Sequence, residues 1–311
     1  MSSLQQWYLN LQNRTIIIER GQKAYMRTQW SPNKWHKELP APPEITLGVV
    51  THCSNDPYYE GKIKILRLCL DSMLKGVAGL NYELIIWDNG SVESWHKKLA
   101  KYNPTVFVKS PNIGVGNAQI GIASIARGKI LCITDDDVLF HPMWFDKQVK
   151  ILQTFPNVGA VSGSPQRTAF RIAVFSNLEW GKKNNALKIY RGISDEWERD
   201  FCISITKHPE ANAKDTATEP DYLLTYSGVK AWAHGNHMQF LGYTDIIREH
   251  IKARKSGVYF DVGHNFNISI DQAGLLNLTT FDRTAVHIGN VIDQSIKKIM
   301  KEWHVSISSN P

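Results

Sequence analysis

The apolar positions of the first half of the chain alternate between strand-length runs and helical stripes. Ile45–Val50 is a continuous apolar run, which is typical of a strand buried on both faces. One face of a helix follows, marked by residues Ile63, Leu66, Leu70 and Met73. Further strand-length runs, with helical patterns between them, lie at Leu84–Trp87, Val106–Val108, Ile130–Ile133 and Val158–Val161. This alternation predicts an α/β fold with a mostly parallel, doubly wound sheet and helices on both faces.

The pattern also predicts four regions along the chain. Residues 1–44 are an appendage that ends in a proline cluster, and residues 45–163 hold the regular strand and helix pattern. The pattern breaks over residues 164–290, where the stretch 207–221 lacks large apolar residues and is predicted to be a mobile loop. Residues 291–311 begin with an amphipathic helix that carries several lysines.

Composition excludes some classes of protein and leaves others open. The chain has 311 residues, of which 42% are hydrophobic, so it is not a disordered protein. Its net charge of +7 is moderate and by itself indicates no nucleic-acid partner. The four cysteines form no C-x-x-C pair, and neither a signal peptide nor a membrane-spanning run is recognisable. We expect a cytoplasmic protein.

The strongest chemical signal is the acidic triplet Asp135-Asp136-Asp137. It directly follows a buried strand, and doubly wound sheets bind ligands beyond the carboxyl ends of their strands. Three adjacent carboxylates repel each other unless solvent or a cation compensates them. An Asp-x-Asp pair at this place can share a hard divalent cation and leave positions for phosphate oxygens. The alternative is a solvated acidic turn.

Three weaker motifs lie at other points of the chain. Asp88-Asn89-Gly90-Ser91 closes the second strand, where the aspartate could accept hydrogen bonds from a nucleoside, although these residues also suit a plain turn. Asn112-Ile-Gly-Val-Gly precedes a helix but lacks the third glycine of a dinucleotide-binding fingerprint. His287 stands beside the flexible Gly289-Asn290, and a lone histidine of this kind is more often a packed residue than a ligand.

Taken in order, these motifs resemble the GT-A glycosyltransferases, most closely those of family 2. The resemblance rests on Thr51-His52 after the first strand, Asp88-Asn-Gly-Ser after the second, and Asn112-x-Gly before a small-residue helix that ends near Gly128. It continues through the strand that leads into the acidic triplet and, more weakly, to the late His-x-Gly-Asn. It covers residues 45–163 well and residues 225–290 less well.

The resemblance implies a role for each matching residue. Thr51 and Asp88 would line a nucleobase pocket, and Asn112 and Gly114 would face the nucleotide. Asp136 would stand at the cofactor site between the two metal-binding residues. The metal ligands, for Mn²⁺ or Mg²⁺, would be Asp135, Asp137 and His287.

The resemblance gives a less complete picture of the catalytic base. Family-2 enzymes often carry a Glu-Asp pair at the start of a late helix, and the matching stretch is taken as Ser269–Gln272. Ile270 stands where glutamate is usual, which is a departure from the pattern. Asp271 is therefore the candidate base and Asp261 the second choice. An inverting reaction is the expected outcome.

The implied activity is the transfer of a sugar from a nucleotide-diphosphate donor, with a UDP-sugar favoured, to an acceptor hydroxyl. The acceptor could be a glycan, a lipid-linked molecule, a protein or a small molecule. A sugar-phosphate nucleotidyltransferase is one alternative, although it would usually carry a glycine-rich loop where Thr51-His-Cys-Ser-Asn stands. A non-catalytic nucleotide-sugar-binding protein is another. Peripheral membrane contact through the basic C-terminal helix is a further prediction.

Overall fold

The structure is a computed structural model, and it describes residues 17–19, 41–205, 207–252 and 262–306. Ten helices and thirteen strands lie in these ranges, together with short 3-10 turns. The strands are β1 (Ile17–Glu19), β2 (Ile45–Thr51), β3 (Tyr82–Asn89), β4 (Val106–Ser110), β5 (Ile130–Asp135), β6 (Val138–Phe140), β7 (Val158–Ser162), β8 (Leu187–Tyr190), β9 (Asp221–Tyr226), β10 (Val229–Trp232), β11 (Gln239–Tyr243), β12 (Leu276–Thr280) and β13 (Ala285–His287). The helices are α1 (Lys62–Lys75), α2 (Glu93–Ala100), α3 (Val115–Ile125), α4 (Trp144–Thr154), α5 (Phe175–Lys183), α6 (Asp195–Ser204), α7 (Pro209–Asp215), α8 (Thr244–His250), α9 (Val262–Gln272) and α10 (Gln294–Glu302).

The predicted α/β fold is confirmed, and the parallel part of its sheet is the part that the sequence pattern marked. Strands β4, β3, β2 and β5 lie side by side and run parallel. Beyond β5 the sheet becomes mixed, because β11 lies antiparallel between β5 and β7, and β12 then pairs parallel with β7. Strands β10, β9 and β8 extend this side with antiparallel pairs, and β1 adds an antiparallel strand beside β4.

Close packing of helix α3 on the sheet depends on its small residues. A Cβ atom built on Gly121 would lie 2.2 Å from the ring of Trp87, so a larger residue there would push the helix away from β3. Trp87 is 2% exposed and packs with residues of α3, α8 and α9 on one face of the sheet. The opposite face carries a larger apolar cluster that includes residues of α1, α2 and α4. Helices therefore cover both faces, as predicted.

A small two-stranded ribbon separate from the main sheet positions the acidic triplet. Strand β6 begins one residue after the triplet and pairs antiparallel with β13, so that Val138 lies opposite His287. The backbone N–H of Ile288 donates to the carbonyl oxygen of Asp137 at 2.7 Å. This pairing brings Val138 and His287, which are 149 positions apart in the sequence, into one place.

The segment 207–221, expected to be a mobile loop, instead contains helix α7 and the residues that lead into β9. Thr216 at the end of this helix is fully buried. The Arg171 guanidinium forms ion pairs with Asp215 at 2.8 Å and with Glu219 at 2.6 Å. The expectation failed because the segment is held by polar and charged contacts, which apolar periodicity does not report.

Helix α10 is docked on the protein through the face that would otherwise be available to a membrane. Ile296 and Ile299 are both 3% exposed and pack in a cluster with Ile65 and Leu68 of α1. On the opposite face, the Lys298 ammonium lies 2.7 Å from the Glu196 carboxylate. No helix among the described residues is long and apolar enough to cross a membrane.

Candidate functional site

The three carboxylates of the acidic triplet point in different directions because the chain turns between β5 and β6. Asp135 is the last residue of β5, and Asp136 and Asp137 form the turn before β6. Asp136 is 6% exposed, whereas its two neighbours are only partly buried. The middle residue is thus directed into the protein and the outer two remain accessible to a ligand.

A buried network holds Asp136 in this position. The Lys62 ammonium at the start of α1 lies 2.6 Å from one carboxylate oxygen, and the Thr51 hydroxyl donates to the other at 2.6 Å. The indole N–H of Trp95 donates in turn to the Thr51 oxygen at 3.2 Å. Burial alone would lower the pKa of Lys62, but attraction by Asp136 and Asp137 raises that pKa above its usual range. Lys62 therefore remains charged and compensates one of the three carboxylates.

Asp137 and His287 form the accessible part of the cluster. The imidazole Nε2 of His287 lies 3.5 Å from Oδ1 of Asp137, and this oxygen is buried without a hydrogen-bond partner. The other ring nitrogen, Nδ1, is 2.8 Å from the Ser204 hydroxyl oxygen. A second partner of this kind fixes the ring orientation of metal-binding histidines in proteins.

These side chains fit a divalent cation that also receives oxygens from a ligand. In the ranges that the structure describes, no three His, Cys, Asp or Glu side chains are gathered closely enough to hold an ion by themselves. Mg²⁺ and similar hard cations are commonly bound by one or two carboxylates together with substrate phosphates. Asp135 and Asp137 are of the right type, and His287 supplies a nitrogen, which Mn²⁺ accepts more readily than Mg²⁺.

One cavity beside the triplet, here called the tyrosine cavity, has a volume of about 230 Å³. Its lining includes Tyr58, Tyr59, Asn89 and the three aspartates of the triplet. Tyr58 is 66% exposed, and Tyr59 is held by an edge contact with the His52 ring at 5.4 Å between centroids. Aromatic rings beside carboxylates suit a ligand with a flat ring system at one end and a cation-binding group at the other.

The structure places the two residues assigned to a nucleobase pocket in different surroundings. Thr51 lines the tyrosine cavity, although its hydroxyl is engaged by Asp136 and Trp95. Asp88 is 1% exposed, and its carboxylate contacts the His96 ring at 2.6 Å and accepts from the Ser91 backbone N–H at 3.1 Å. Asp88 is absent from the cavity lining, where the following residue, Asn89, stands instead.

Asn112 and Gly114 belong to an exposed loop at the edge of the same cavity. The Asn112 side-chain oxygen accepts from the Gly114 backbone N–H at 3.0 Å and from the Asn89 amide at 3.3 Å. Gly114 precedes α3 with a φ of +84°, a backbone conformation that favours glycine. The next residue, Val115, lines the cavity, so these two residues shape the loop rather than form the cavity wall.

A second cavity, here called the histidine cavity, has a volume of about 380 Å³ and shares Asp135 with the first. Imidazoles of His237, His264 and His287 line it, and the first two rings lie 4.6 Å apart between centroids. The remaining wall combines carboxamides with apolar side chains such as Phe201. Asp135 thus stands at the boundary between two neighbouring cavities.

The placement of the candidate base at the start of a late helix is wrong. Residues 269–272 form the last turn of α9, which begins at Val262. The Asp271 carboxylate accepts from the backbone N–H of Ser176 at 2.7 Å and so caps the first turn of α5. Asp271 lines neither the tyrosine cavity nor the histidine cavity. Asp261, the second choice, lies outside the described residues.

Sequence reasoning did not identify Lys62, His237 or His264. A lysine at the first position of an amphipathic helix looks like a solvated residue, since its pairing with Asp136 spans more than 70 positions. The two histidines are separated by a strand, a helix and an unpatterned stretch. No local spacing marks any of the three.

Comparisons with known proteins agree with the resemblance seen in the motifs. Residues 57–205 match the family model described as glycosyl transferase family 2. That segment runs from the residues before α1 to the end of α6 and includes the acidic triplet. This part of the chain is therefore similar to family-2 glycosyltransferases.

The individual proteins and structures that match this chain share low sequence identity with it or match only part of it. The chain is 31% identical over 106 residues to the uncharacterized protein y4gI of Sinorhizobium fredii, a match that covers 32% of this chain and 12% of that protein. A mannosyltransferase from Pyrobaculum calidifontis, solved with GDP-Man and Mn²⁺, is 22% identical with a TM-score of 0.32 and covers 45% of this chain and 42% of its own. A glucosyl-3-phosphoglycerate synthase from Mycobacterium tuberculosis, solved with Mn²⁺, UDP and phosphoglyceric acid, is 14% identical with a TM-score of 0.44. That match covers 86% of this chain and 80% of the synthase.

Proposed function

We propose that the protein transfers a sugar from a nucleotide-diphosphate donor to an acceptor hydroxyl in a metal-dependent reaction. The observation that carries this proposal is the position of Asp135, which lines both cavities. A donor in the tyrosine cavity and an acceptor in the histidine cavity would meet at this carboxylate. The family match over residues 57–205 supports the same activity.

The tyrosine cavity is the proposed donor site, with a UDP-sugar favoured. Tyr58 and Tyr59 would contact the nucleoside, and the diphosphate would lie toward the triplet. Asp135, Asp137 and His287 would hold Mn²⁺ or Mg²⁺. When bound, the cation acts as a Lewis acid that stabilises the charge on the departing diphosphate.

The residues around the triplet prepare this site before any ligand arrives. Lys62 and Thr51 engage the two carboxylate oxygens of Asp136, so the charge of this residue is compensated before a diphosphate binds. Ser204 orients the His287 ring. Because these contacts are already formed in the protein, little reorganisation is needed when the donor binds.

The base that removes the proton from the acceptor hydroxyl has to act from the histidine cavity in an inverting reaction. Asp261, the second candidate from the sequence, stays a prediction for this role. A cytoplasmic location and the lack of a nucleic-acid partner remain predictions from composition.

A calorimetric screen of nucleoside diphosphates and their sugars, with and without Mn²⁺, tests the donor site. We expect one nucleotide to bind at least tenfold more tightly with Mn²⁺, and Asp137→Ala to abolish this difference while the protein stays folded. Asp146→Ala, an exposed aspartate of α4, is the matched control. Unchanged metal-dependent binding by Asp137→Ala would remove that residue from the metal site.

Transfer to an acceptor panel then separates the candidate classes. Release of the nucleoside diphosphate with transfer of the sugar supports a glycosyltransferase, whereas tight donor binding without any turnover supports the non-catalytic alternative. Formation of a nucleotide sugar from a sugar phosphate and a nucleoside triphosphate would instead support the nucleotidyltransferase. The anomeric configuration of the product, read by NMR, decides whether the reaction inverts.

A further inference from the structure

Two carboxamides of the histidine cavity have their oxygen atoms engaged inside the protein. The side-chain oxygen of Asn236 accepts from the backbone N–H of Met238 at 3.1 Å, which fixes the orientation of this amide. The side-chain oxygen of Asn267 accepts from the Asn277 amide at 2.9 Å. Both residues line the cavity and are 5% exposed, and neither NH₂ group donates to a described residue. Each carboxamide therefore offers N–H donors to a ligand.

The same cavity also contains a lysine and two further nitrogen-bearing rings. Lys207 lines the opening and is tied to the end of α6 by a 2.9 Å hydrogen bond from its backbone N–H to the Cys202 carbonyl. Its ammonium carries three donors and no acceptor. His237 and His264 also line the cavity, and their rings are tilted by 50° relative to each other.

The negative charge that the described residues contribute to this cavity lies at one edge. Among the described residues that line it, Asp135 is the single carboxylate, and it lies at the boundary with the tyrosine cavity. The remainder includes the Lys207 ammonium and the N–H groups of Asn236 and Asn267, together with the Gln166 carboxamide, whose own NH₂ donates to the Ser164 hydroxyl at 3.3 Å. A cavity that offers donors in this way is complementary to a group with acceptor oxygens only, and charge-assisted hydrogen bonds to an anion are roughly twice as strong as neutral ones.

We propose that the acceptor carries a phosphate or carboxylate group, bound by Lys207, Asn236 and Asn267 in the histidine cavity. This inference rests on the proposed function, since it assigns that cavity to the acceptor. The anionic group sits away from Asp135, and the hydroxyl that receives the sugar points toward it. Apolar residues such as Ile172 and Phe201 line the rest of the wall and contact the carbon skeleton.

Calorimetric titration of three small probes tests this inference. Glycerol 3-phosphate and glycerate supply the two anionic groups, and glycerol is the neutral control. Each is titrated both alone and with saturating Mn²⁺ and nucleoside diphosphate, so that binding of phosphate in the donor site is recognised. We expect at least one anion to bind tenfold or more tightly than glycerol under both conditions.

Charge reversal at Lys207 places the binding in the histidine cavity. Lys207→Glu should weaken the affinity for the anion at least tenfold and leave the affinity for the nucleotide unchanged. Lys207 is exposed, so the variant is expected to fold, and Lys183→Glu on α5 is the matched control. Asn267→Asp, which replaces a donor by an acceptor, should have the same effect.

The outcomes distinguish this inference from the proposed function. If the nucleotide binds with Mn²⁺ but neither anion binds better than glycerol, or Lys207→Glu has no effect, the anionic acceptor is refuted and the transferase activity is untouched. If the anion binds in a Lys207-dependent way but no nucleotide binds, the anion site stands and the proposed function fails.

Discussion

The buried ion pair beneath the acidic triplet allows a prediction with a definite magnitude. The Lys62 and Asp136 side chains are 6% and 8% exposed, and their charged atoms are 2.6 Å apart. At an effective dielectric constant of about 20, two unit charges at 2.6 Å attract each other by about 6 kcal/mol. Desolvation offsets part of this attraction, and removing one partner of a buried pair costs about 3–5 kcal/mol.

We therefore expect Lys62→Met to lower the free energy of unfolding by about 3 kcal/mol near neutral pH, because Asp136 is left buried without its counter-charge. The loss should shrink on acidification. Burial raises the pKa of Asp136 and Lys62 opposes this, so without the lysine the folded-state pKa lies further above the unfolded value. At a given pH the folded variant then binds a proton more readily than the unfolded chain does, so its stability relative to the wild-type protein recovers as the pH falls.

Urea unfolding followed by tryptophan fluorescence at about pH 7.5 and about pH 5.5 measures both effects. Lys64→Met is the matched control, since Lys64 lies on the same helix and is exposed. The double variant Lys62→Met/Asp136→Asn should regain much of the lost stability because neither charge remains. A loss below about 0.5 kcal/mol for Lys62→Met, or a loss that grows on acidification, would refute the assigned ion pair.

Two further predictions concern residues whose surroundings differ from the sequence expectation. Asp271→Ala should cost about 1 kcal/mol of stability, because it removes the cap on α5, and should change turnover less than about threefold. Asp271→Asn keeps a side-chain acceptor, so we expect little change in either stability or turnover. A loss of two decades in turnover for either variant would restore Asp271 as the base. Ile299→Ala should lower the free energy of unfolding by about 2–5 kcal/mol because the side chain is 3% exposed, and the exposed Lys297→Ala is its control. Equal stability of these two variants would show that α10 is not docked.

The sequence predicted the parallel half of the fold and failed where contacts are distant in the chain. Strands β2, β3 and β5 are continuous apolar runs, and such runs identify buried parallel strands without any knowledge of their neighbours. Strand β11 and helix α9 occupy the second half, where the local pattern is irregular. The base was therefore placed at residues 269–272 although α9 begins at Val262.

The same limit applies to the site itself. The triplet and its position at a strand end could be read locally, because both depend on adjacent residues. The different directions of Asp136 and its two neighbours could not be predicted from the sequence, because Lys62 and Thr51 reach the triplet from other elements. The sequence also did not show that the carboxylate of Asp88, the residue predicted to line a nucleobase pocket, contacts His96 and Ser91. A carboxylate that follows a strand is thus only a candidate ligand-binding residue until its own hydrogen-bond and ion-pair partners are known.

The distribution of charge around Asp135 gives the two proposed substrates different roles. On the tyrosine side, Asp135 and Asp137 repel a diphosphate until a cation compensates them, so donor binding there should depend on the metal. On the histidine side, Lys207 and the carboxamides attract an anion without a metal. Since Asp135 repels the anionic end of the acceptor, that end is held away from the reacting centre and the uncharged hydroxyl is left to face it. The positive charges that act at the site are therefore those of individual residues such as Lys62 and Lys207. The +7 net charge of the chain does not indicate a general attraction for polyanions.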